Sequence, residues 1–317
     1  MSLEIGGLNL WLVSPDDGAR IHVLRGLDLS LDRGQSLGLV GESGSGKTMT
    51  GLSILRLLPP GAMLTGTIVL NGRSLMDLAP EEIRKTRGKE VAMVFQEPSS
   101  ALNPLMRVGD QIAETIAEHM KLGSTASAKE AVEWIERVGF RKPDEIARLY
   151  PHQLSGGMRQ RIVIAQSLCC RPSLMIADEP TTALDVSSQR EILDLIRGLR
   201  SELGAALIMI SHDLAMVANE VEKLAIMYAG KIVEVGAVSA LLESPKHPYT
   251  GLLLKAIPAW GSKERLAAIG GAPPDFKNIS PGCSFAPRCP WKNIRCSEEP
   301  SDQGAAENNA LCWFPRR

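Results

Sequence analysis

The chain has 317 residues, of which 44% are hydrophobic and 22% charged, and its formal net charge is −1 at pH 7. This length provides one large domain or two of ordinary size, and the composition is ordinary for a soluble globular protein. The near-zero charge provides no general basic surface for nucleic acid or anionic lipid. The start MSLEIGGLNL lacks the features of a signal peptide, and no run of about 18 apolar residues predicts a membrane span, so we expect a cytosolic chain.

Strand-like runs separated by turns rich in Asp, Gly and Asn occupy residues 1 to about 72. These runs are LEIGGLNLWL, IHVLRGLDLSL, QSLGLVG and GTIVLNG. Apolar residues then recur at spacings of three to four over about 79–90 and 105–149. In the second region, VGDQIAETIAEHM and AKEAVEWIERVG predict amphipathic helices.

Strand and helix patterns alternate after residue 155, in SLMIADE, QREILDLIRGLRSEL, AALIMISHD, LAMVANEVE and KLAIMYAGKIVEVG. This alternation predicts an α/β fold, in which helices cover a parallel sheet. Residues 270–317 are instead rich in Pro, Gly, Asn and Cys and show little periodicity. They indicate an irregular C-terminal extension.

The segment GESGSGKT matches the phosphate-binding pattern G-x-x-x-x-G-K-[ST], and it lies between the apolar LGLV and the helical MTGLSILRLL. Glycines allow backbone N–H groups to surround phosphates, and the helix start adds a favourable dipole. Lys47 can reach the β- and γ-phosphates, and the Thr48 hydroxyl can bind Mg²⁺. This context favours a phosphate loop over a plain glycine-rich turn. The predicted nucleotide contacts here are Gly41, Ser43, Gly44, Ser45, Gly46, Lys47, Thr48 and Met49.

Asp178 and Glu179 follow four apolar residues in SLMIADEP, at the predicted end of a buried strand. Ligands of α/β sheets bind at the carboxyl ends of strands, so we expect both carboxylates beside the phosphates. Asp178 would hold Mg²⁺, and Glu179 would orient or deprotonate an attacking water. Such a pair alone is more often a solvated strand end, but the phosphate loop favours the catalytic interpretation.

A second glycine-rich helix start, LSGGMRQRIVIAQSL from Leu154, contains no lysine near its glycines. Ser155, Gly156 and Gly157 precede good helix formers, so free N–H groups at the helix start would form another anion site. Simple capping of the helix by Ser155 is the alternative. A γ-phosphate presented by another subunit explains the pattern better.

Taken in order, GESGSGKT, QEPSSALNP, LSGGMRQR, LMIADEPTTALD and ISHD resemble the motifs of ATP-binding-cassette (ABC) transporter ATPases. The resemblance implies a P-loop ATPase with a parallel core sheet, an antiparallel β subdomain and a helical subdomain at about 98–165. This ATPase domain would cover residues 1–260, and a small irregular Cys-rich extension would cover 261–317.

The resemblance also implies roles for residues outside the phosphate loop. Gln96 would act in catalysis, contact the nucleotide and Mg²⁺, and lie in a loop that meets the membrane subunits. His212, after the strand LIMI, would contact the γ-phosphate. Residues 154–158 would close on ATP held by a partner ATPase. The residues expected to cross the dimer interface are Ala183, Leu184 and Asp185, of which Asp185 would also contact nucleotide.

The ABC family usually stacks adenine on an aromatic residue of an N-terminal strand. The aligned position here is Leu12, with Trp11 beside it. Either the register shifts by one residue and Trp11 stacks on adenine, or Leu12 provides apolar packing alone.

Three further segments, VGESGSGKTMT, QEPSSALNPLMRVGDQI and SPKHPYTGLLLKAIP, are similar to the ATPase subunits of dipeptide, oligopeptide and nickel importers. This resemblance implies an ATPase that uses ATP and Mg²⁺ to power uptake of dipeptides or oligopeptides. A nickel-chelate or modified-peptide cargo is the alternative. A soluble ABC ATPase of DNA repair or of ribosomes is less favoured, because the chain has one cassette, no sustained heptads and no basic patch.

The same resemblance implies a set of partners. The chain would form a heterodimer with a homologous ATPase subunit, and the pair would bind two transmembrane permeases. An extracytoplasmic substrate-binding protein would deliver the cargo, and no nucleic acid is expected. The chain would therefore be peripheral, on the cytoplasmic face of the cell membrane.

Four cysteines in the extension, separated by five, six and fifteen residues, are Cys283, Cys289, Cys296 and Cys312. The importer branch often ends in such an extension, and in some members the cysteines are believed to hold a [4Fe–4S] cluster. Loops can fold around a cluster, and four thiolates complete its protein ligands. Zinc and unligated thiols are the alternatives, although the C-x2-C pair common in zinc sites is absent. Cys169 and Cys170 are expected to be packing residues.

Overall fold

The structure is a computed structural model that describes residues 2–182, 184–257, 269–279, 281–300 and 309–315. Ala183, expected at a dimer interface, lies outside the described residues, and so does the predicted domain boundary at 260/261. The strands are β1 (Leu3–Val13), β2 (Arg20–Leu31), β3 (Ser36–Val40), β4 (Met63–Leu70), β5 (Arg73–Ser74), β6 (Val91–Val94), β7 (Leu174–Asp178), β8 (Ala206–Ser211), β9 (Lys223–Tyr228), β10 (Lys231–Ala237) and β11 (Asn309–Ala310).

The α-helices of the described residues alternate with the later strands, as the pattern predicts. They are α1 (Lys47–Ile54), α2 (Pro80–Thr86), α3 (Pro98–Ala101), α4 (Val108–Met120), α5 (Ser124–Arg137), α6 (Pro143–Ala147), α7 (Gly156–Leu168), α8 (Val186–Leu203), α9 (Leu214–Ala218), α10 (Val238–Glu243) and α11 (Pro248–Lys255). Short 3₁₀ turns cover Pro151–Gln153, Ala286–Arg288 and Ile294–Ser297.

The central sheet has the strand order β11-β10-β9-β3-β8-β7-β6 in the described chain. The strands from β9 to β6 are parallel, and every residue of β3, β7 and β8 is buried. Parallel strands covered on both faces need continuous apolar runs, which explains why SLGLV, LMIAD and ALIMIS show little polar alternation. The predicted α/β fold is confirmed.

One edge of this sheet differs from the prediction, because β9 and β10 form a hairpin. Sequence analysis placed KLAIMYAGKIVEVG among the segments of a parallel sheet, but β10 pairs antiparallel to β9, with Lys231 opposite Tyr228. The connecting residues Ala229 and Gly230 have positive φ angles of 48° and 79°. Positive φ at both central residues is the pattern of the type I′ turn, one of the two turns favoured in two-residue hairpins.

A separate antiparallel sheet has the order β2-β1-β4-β5 and packs on one face of the central sheet. Successive residues of β8 divide between the two faces: Ile208 and Ile210 pack on the side of the antiparallel sheet, whereas Leu207 and Met209 pack on the helices. The central sheet therefore lies between two hydrophobic cores, as expected for strands whose side chains alternate.

The helices between β6 and β7 pack into the core on the helical face of the central sheet, the face to which Leu207 and Met209 point. The apolar faces of α4 and α5 meet through Ile112, Ile116 and Trp134, all of which are fully buried. Cys169 and Cys170, which follow α7, are buried in the same core, as predicted for packing residues. No helix of the described ranges is both long enough and apolar enough to cross a bilayer.

The C-terminal extension makes specific contacts with the rest of the described chain. Ala310 in β11 pairs with Glu234 in β10, so the central sheet ends on a strand from the extension. Lys277 Nζ lies 3.2 Å from Asp17 Oδ2 in the turn after β1. The lack of periodicity in this part of the sequence gave no indication of these contacts.

The side chains of the central strand β8 are fully packed in the two cores, so truncating one of them should destabilise the fold. Ile208→Ala should lower the free energy of unfolding by about 2–5 kcal/mol, because Ile208 is 1% exposed and its loss leaves a cavity. Urea unfolding measures this change. The matched control is Ile294→Ala in the extension, where the isoleucine is 92% exposed and the change should stay within about 0.5 kcal/mol. Equal losses in the two variants would contradict the described core.

Candidate nucleotide-binding site

The phosphate loop connects β3 to α1, and glycine is required at two of its positions. A Cβ atom on Gly41 would lie 2.1 Å from the backbone oxygen of Met227, so no larger residue fits. Gly46 precedes α1 with a φ of 106°, which side chains strongly disfavour. The loop thus leads directly into the free N–H groups of the first turn of α1, where a phosphate can bind.

The remaining predicted contacts of the loop divide by exposure. Ser43, Gly44 and Thr48 are exposed, and Met49 is half-buried. Ser45 is buried, and its carbonyl oxygen accepts the N–H of Gly230 at 2.9 Å. The turn between β9 and β10 therefore contacts the buried side of the phosphate loop. Ser43 and Gly44, at the tip of the phosphate loop, face solvent.

Lys47 spans the loop from the inside. Its Nζ donates to the carbonyl oxygens of Gly41 and Glu42, at 2.8 and 2.9 Å, and the residue is 6% exposed. Burial lowers the pKa of Lys47, and the charges of Glu179, Asp178 and Glu42 oppose that shift. An ammonium has three donors, so these two bonds leave one that can be directed at a phosphate.

Asp178 ends β7 beside the start of α1. Its Oδ1 accepts a hydrogen bond of 3.3 Å from Thr48 Oγ1, and the residue is 3% exposed. Burial raises the pKa of Asp178 despite the bond from Thr48 and the charge of Lys47. Hydroxyl and carboxylate oxygens are ligands that Mg²⁺ prefers, and a cation here would favour the charged carboxylate. The pair therefore fits the predicted Mg²⁺ site.

Glu179, His212 and Gln96, the three predicted catalytic residues, are brought together. Glu179 Oε1 lies 2.9 Å from His212 Nδ1, and Oε2 accepts from Gln96 Nε2 at 3.0 Å and from Thr182 Oγ1 at 2.9 Å. Burial acts to raise the pKa of Glu179, but the bonds from His212 and Thr182 outweigh it, so that the pKa is below its ordinary value. Glu179 is therefore ionised at neutral pH and able to bind or deprotonate a water.

Ser155, Gly156 and Gly157 begin α7 at the protein surface. The Oγ of Ser155 accepts the N–H of Met158 at 3.3 Å, so the capping function considered for Ser155 is present. This cap uses only one of the free N–H groups of the first turn. Those of Gly156 and Gly157 are available to an anion.

Leu184 and Asp185 lie beside this helix start. A Cβ atom on Gly156 would be 3.7 Å from Leu184 Cδ2. Asp185 caps α8 and accepts hydrogen bonds from Ser187 and Ser188, which hold its pKa below the usual range. The starts of α7 and α8 therefore form adjacent parts of one surface.

The two residues considered for adenine contact have different surroundings. Trp11 stacks on His22, with ring centroids 4.3 Å apart and planes at 12°. Leu12 packs against the core beneath the antiparallel sheet. One face of the Trp11 indole is thus covered by His22, and adenine contact by Trp11 or Leu12 stays a prediction.

The cysteines of the extension, Cys283, Cys289, Cys296 and Cys312, line one small cavity together with Trp291, Trp313 and Phe285. Burial raises the pKa of Cys283 and of Cys312, and the charges of neighbouring cysteines raise both further. Among the described residues, however, no three His, Cys, Asp or Glu side chains lie close enough together to hold a metal ion. The four thiols line one cavity, but the predicted iron–sulfur site gains no direct support.

Sequence analysis missed the side chains that hold Glu42 within the phosphate loop. Its N–H donates to Tyr249 Oη at 3.0 Å, and its carboxylate accepts two hydrogen bonds from Arg288, at 2.7 and 2.9 Å. The available signals were a carboxylate within a phosphate loop and an arginine directly before Cys289. Neither signal predicts a partner 246 residues away.

Known proteins share this architecture. Residues 24–182 match the family described as "ABC transporter", and residues 233–296 match "Oligopeptide/dipeptide transporter, C-terminal region". The chain is 45% identical over 288 residues to the oligopeptide transport ATP-binding protein OppD of Bacillus subtilis, covering 89% of this chain and 80% of that protein. It is 41% identical over 304 residues to the dipeptide transport ATP-binding protein DppD of Escherichia coli, covering 95% and 93%.

A solved structure agrees with the fold. The dimeric post-hydrolysis state of the ATP-binding cassette MJ0796, bound to ADP and Pi, superimposes with a TM-score of 0.65 at 25% identity, covering 74% of this chain and 98% of that one. Sequence matches, fold and site geometry thus all point to the same family. The chain belongs to the ABC transporter family of ATPases and carries the C-terminal region of its oligopeptide/dipeptide transporters.

Proposed function

We propose that the chain is the ATP-hydrolysing subunit of an importer that powers uptake of dipeptides or oligopeptides across the cytoplasmic membrane. The observation that carries the proposal is the Glu179 carboxylate, held by His212, Gln96 and Thr182 at the end of β7. Peptide cargo is supported by the names of the two relatives and by the match over residues 233–296. These comparisons give no support to a nickel-chelate or modified-peptide cargo.

The phosphate loop and Lys47 would bind the triphosphate of ATP. The first-turn N–H groups of α1 would hold phosphate oxygens, and Lys47 would direct its third donor at the β- and γ-phosphates. Thr48, Asp178 and Gln96 would be the protein ligands of Mg²⁺. The metal ion would neutralise charge on the phosphates, and the short distance from Thr48 to Asp178 supports two of these ligands.

Hydrolysis would depend on the group around Glu179. Its ionised carboxylate would orient the attacking water and accept its proton, while Gln96 and Thr182 fix one carboxylate oxygen. His212, bound to the other oxygen, would turn its second ring nitrogen toward the γ-phosphate. Fixed neighbours on both oxygens reduce the reorganisation that the reaction requires.

A second, homologous ATPase would complete the site. The first-turn N–H groups of Gly156 and Gly157 would bind the γ-phosphate of ATP held by the partner, and Leu184 and Asp185 would cross the interface. Val186, next to Asp185, is apolar yet exposed. Together with the first-turn N–H groups of α7, Val186 would give a second chain both polar and apolar contacts at this surface. By resemblance to the importer branch, the partner would be a different chain.

The membrane subunits would bind near Gln96. Phe95 and Leu105 are large apolar residues on either side of this loop that remain exposed. They would contact two permeases, which places the chain on the cytoplasmic face as a peripheral protein. A binding protein on the other side of the membrane would supply the peptide.

The extension would hold a [4Fe–4S] cluster through its four cysteines. The four cysteines line one cavity with aromatic walls, and they include no C-x2-C pair of the kind common in zinc sites, which supports a cluster more than zinc. The cluster would serve to tie together an extension that has little core of its own.

Replacement of Glu179 tests the hydrolytic role. Glu179→Gln should lower kcat for phosphate release at least about 100-fold, because a general base of this kind contributes about 10²–10⁴-fold. Binding of ATP should stay within about threefold of the wild-type Kd, since the change leaves the phosphate loop intact.

Transport in cells tests the cargo. In cells that depend on this transporter, the Glu179→Gln variant should lose uptake of a labelled peptide, while nickel uptake is unchanged.

The matched control is Glu202→Gln, which removes a carboxylate from an exposed ion pair with Arg137 and should leave kcat unchanged. Full turnover by Glu179→Gln would contradict the role of Glu179. Loss of nickel uptake with unchanged peptide uptake would instead support the alternative cargo.

Iron analysis tests the cluster. Protein purified without oxygen should contain about four irons and four sulfides per chain, and Cys296→Ser should lose most of both. Cys169→Ala is the control, because Cys169 lies in the core and not at the cavity, and it should keep its iron. Stoichiometric zinc, or no metal in the wild-type protein, would contradict the proposal.

A further inference from the structure

The phosphate loop contains a carboxylate at its second position, Glu42. A loop that binds the phosphates of ATP attracts anions, and a free carboxylate within it would repel them. All the polar groups of Glu42 are nevertheless engaged: its carbonyl oxygen accepts from Lys47, its N–H donates to Tyr249 Oη, and its carboxylate binds Arg288. The charge is therefore held in one place by a partner that cancels it.

Arg288 makes a two-pronged contact with this carboxylate. Its Nη1 and Nη2 donate to the two Glu42 oxygens at 2.7 and 2.9 Å, and the Arg288 side chain is 5% exposed. Its Nε donates to the carbonyl oxygen of Gly270 at 2.9 Å, and its guanidinium carbon lies 5.8 Å from the ring centroid of Tyr228. Paired, parallel N–H bonds fix direction as well as charge, and a lysine could not reproduce them.

An aromatic cluster braces both ends of this contact. Tyr228, Tyr249 and Phe285 lie with ring centroids 4.7–5.3 Å apart. Tyr249 also holds the N–H of Glu42, and Phe285 immediately precedes the 3₁₀ turn that ends at Arg288. Glu42 of the phosphate loop and Arg288 of the extension are thus both in contact with one aromatic cluster.

We propose that Arg288, in the C-terminal extension, is a positioning residue of the nucleotide site. It neutralises Glu42 and fixes the phosphate loop in the form that receives ATP. Lys47 depends on this form, because the Glu42 carbonyl is one of its two anchors in the loop. The inference rests on the proposed binding of ATP at this loop. It assigns the C-terminal extension a direct effect on ATP affinity.

The position of Arg288 gives the contact a second consequence. The next residue, Cys289, lines the cavity formed by the four cysteines of the extension. A change of backbone at Cys289 therefore acts directly on the residue that holds Glu42.

Arg288→Gln in the full-length chain tests the proposal. Removal of the guanidinium leaves Glu42 unpaired beside the phosphates, so the Kd of Mg-ATP should rise about tenfold, and the KM should rise with it more than kcat falls. Arg288→Lys keeps the charge but loses the paired bonds, and its Kd should lie between those of the wild type and Arg288→Gln. A fluorescent ATP analogue measures Kd on each variant, and thermal unfolding checks that each is folded.

Two further variants separate charge neutralisation from general damage to the extension. Glu42→Gln combined with Arg288→Gln removes both charges, and its Kd should return to within about threefold of the wild type. Lys277→Gln removes another ion pair between the extension and the ATPase core, at Asp17, and should leave Kd unchanged.

An unchanged Kd in Arg288→Gln would overturn the proposal, as would a double variant that binds as weakly as Arg288→Gln. So would an equal loss of affinity in Lys277→Gln, because the effect would then not be specific to Glu42. Binding of ATP by the wild type and by Lys277→Gln tests the ATP site itself, so failure of this inference is distinguishable from failure of the proposed function.

Discussion

The parallel pairing of β3, β7 and β8 is the constraint on which the nucleotide site depends. Asp178 pairs with Ile210, and β3 pairs with β8 along its whole length, so the three strands end at one edge of the sheet. The phosphate loop follows the first strand, Glu179 the second and His212 the third. A slip of one residue in β7 would turn Asp178 to the opposite face and separate it from Thr48.

Charge balance around this edge explains why ATP and Mg²⁺ fit it together. Lys47 is buried against backbone oxygens, and burial raises the pKa of Asp178. Burial of a charge costs free energy that the neighbours of Lys47 and Asp178 offset only in part, and the phosphates of ATP and a Mg²⁺ ion would add partners of opposite charge to both. Glu42 is different, because its charge is already balanced by Arg288. The pair of Glu42 and Arg288 is thus already formed without ligands, whereas Lys47 and Asp178 remain to interact with the phosphates and Mg²⁺.

Local patterns in the sequence were sufficient to predict which side chains the fold brings together at this edge of the sheet. The phosphate loop is one contiguous segment between a strand and a helix, and Asp178 and Glu179 follow an apolar run, so both could be identified from spacing alone. Contacts between distant parts of the chain could not: the bond from Arg288 to Glu42 spans 246 residues, and the extension has no periodicity that could have placed it. The antiparallel β10 was missed because a buried hairpin and a buried parallel strand have similar apolar patterns.

Equilibrium binding of ATP with and without Mg²⁺ tests most directly whether these charges form the nucleotide site. The wild-type chain should bind ATP more tightly with Mg²⁺, and Lys47→Gln should weaken binding at least about tenfold under both conditions, because a charged partner of the phosphates is lost. Asp178→Asn should keep the metal-free affinity and lose the gain from Mg²⁺. Equal affinity in the wild type and Lys47→Gln, or a full Mg²⁺ effect in Asp178→Asn, would contradict the account.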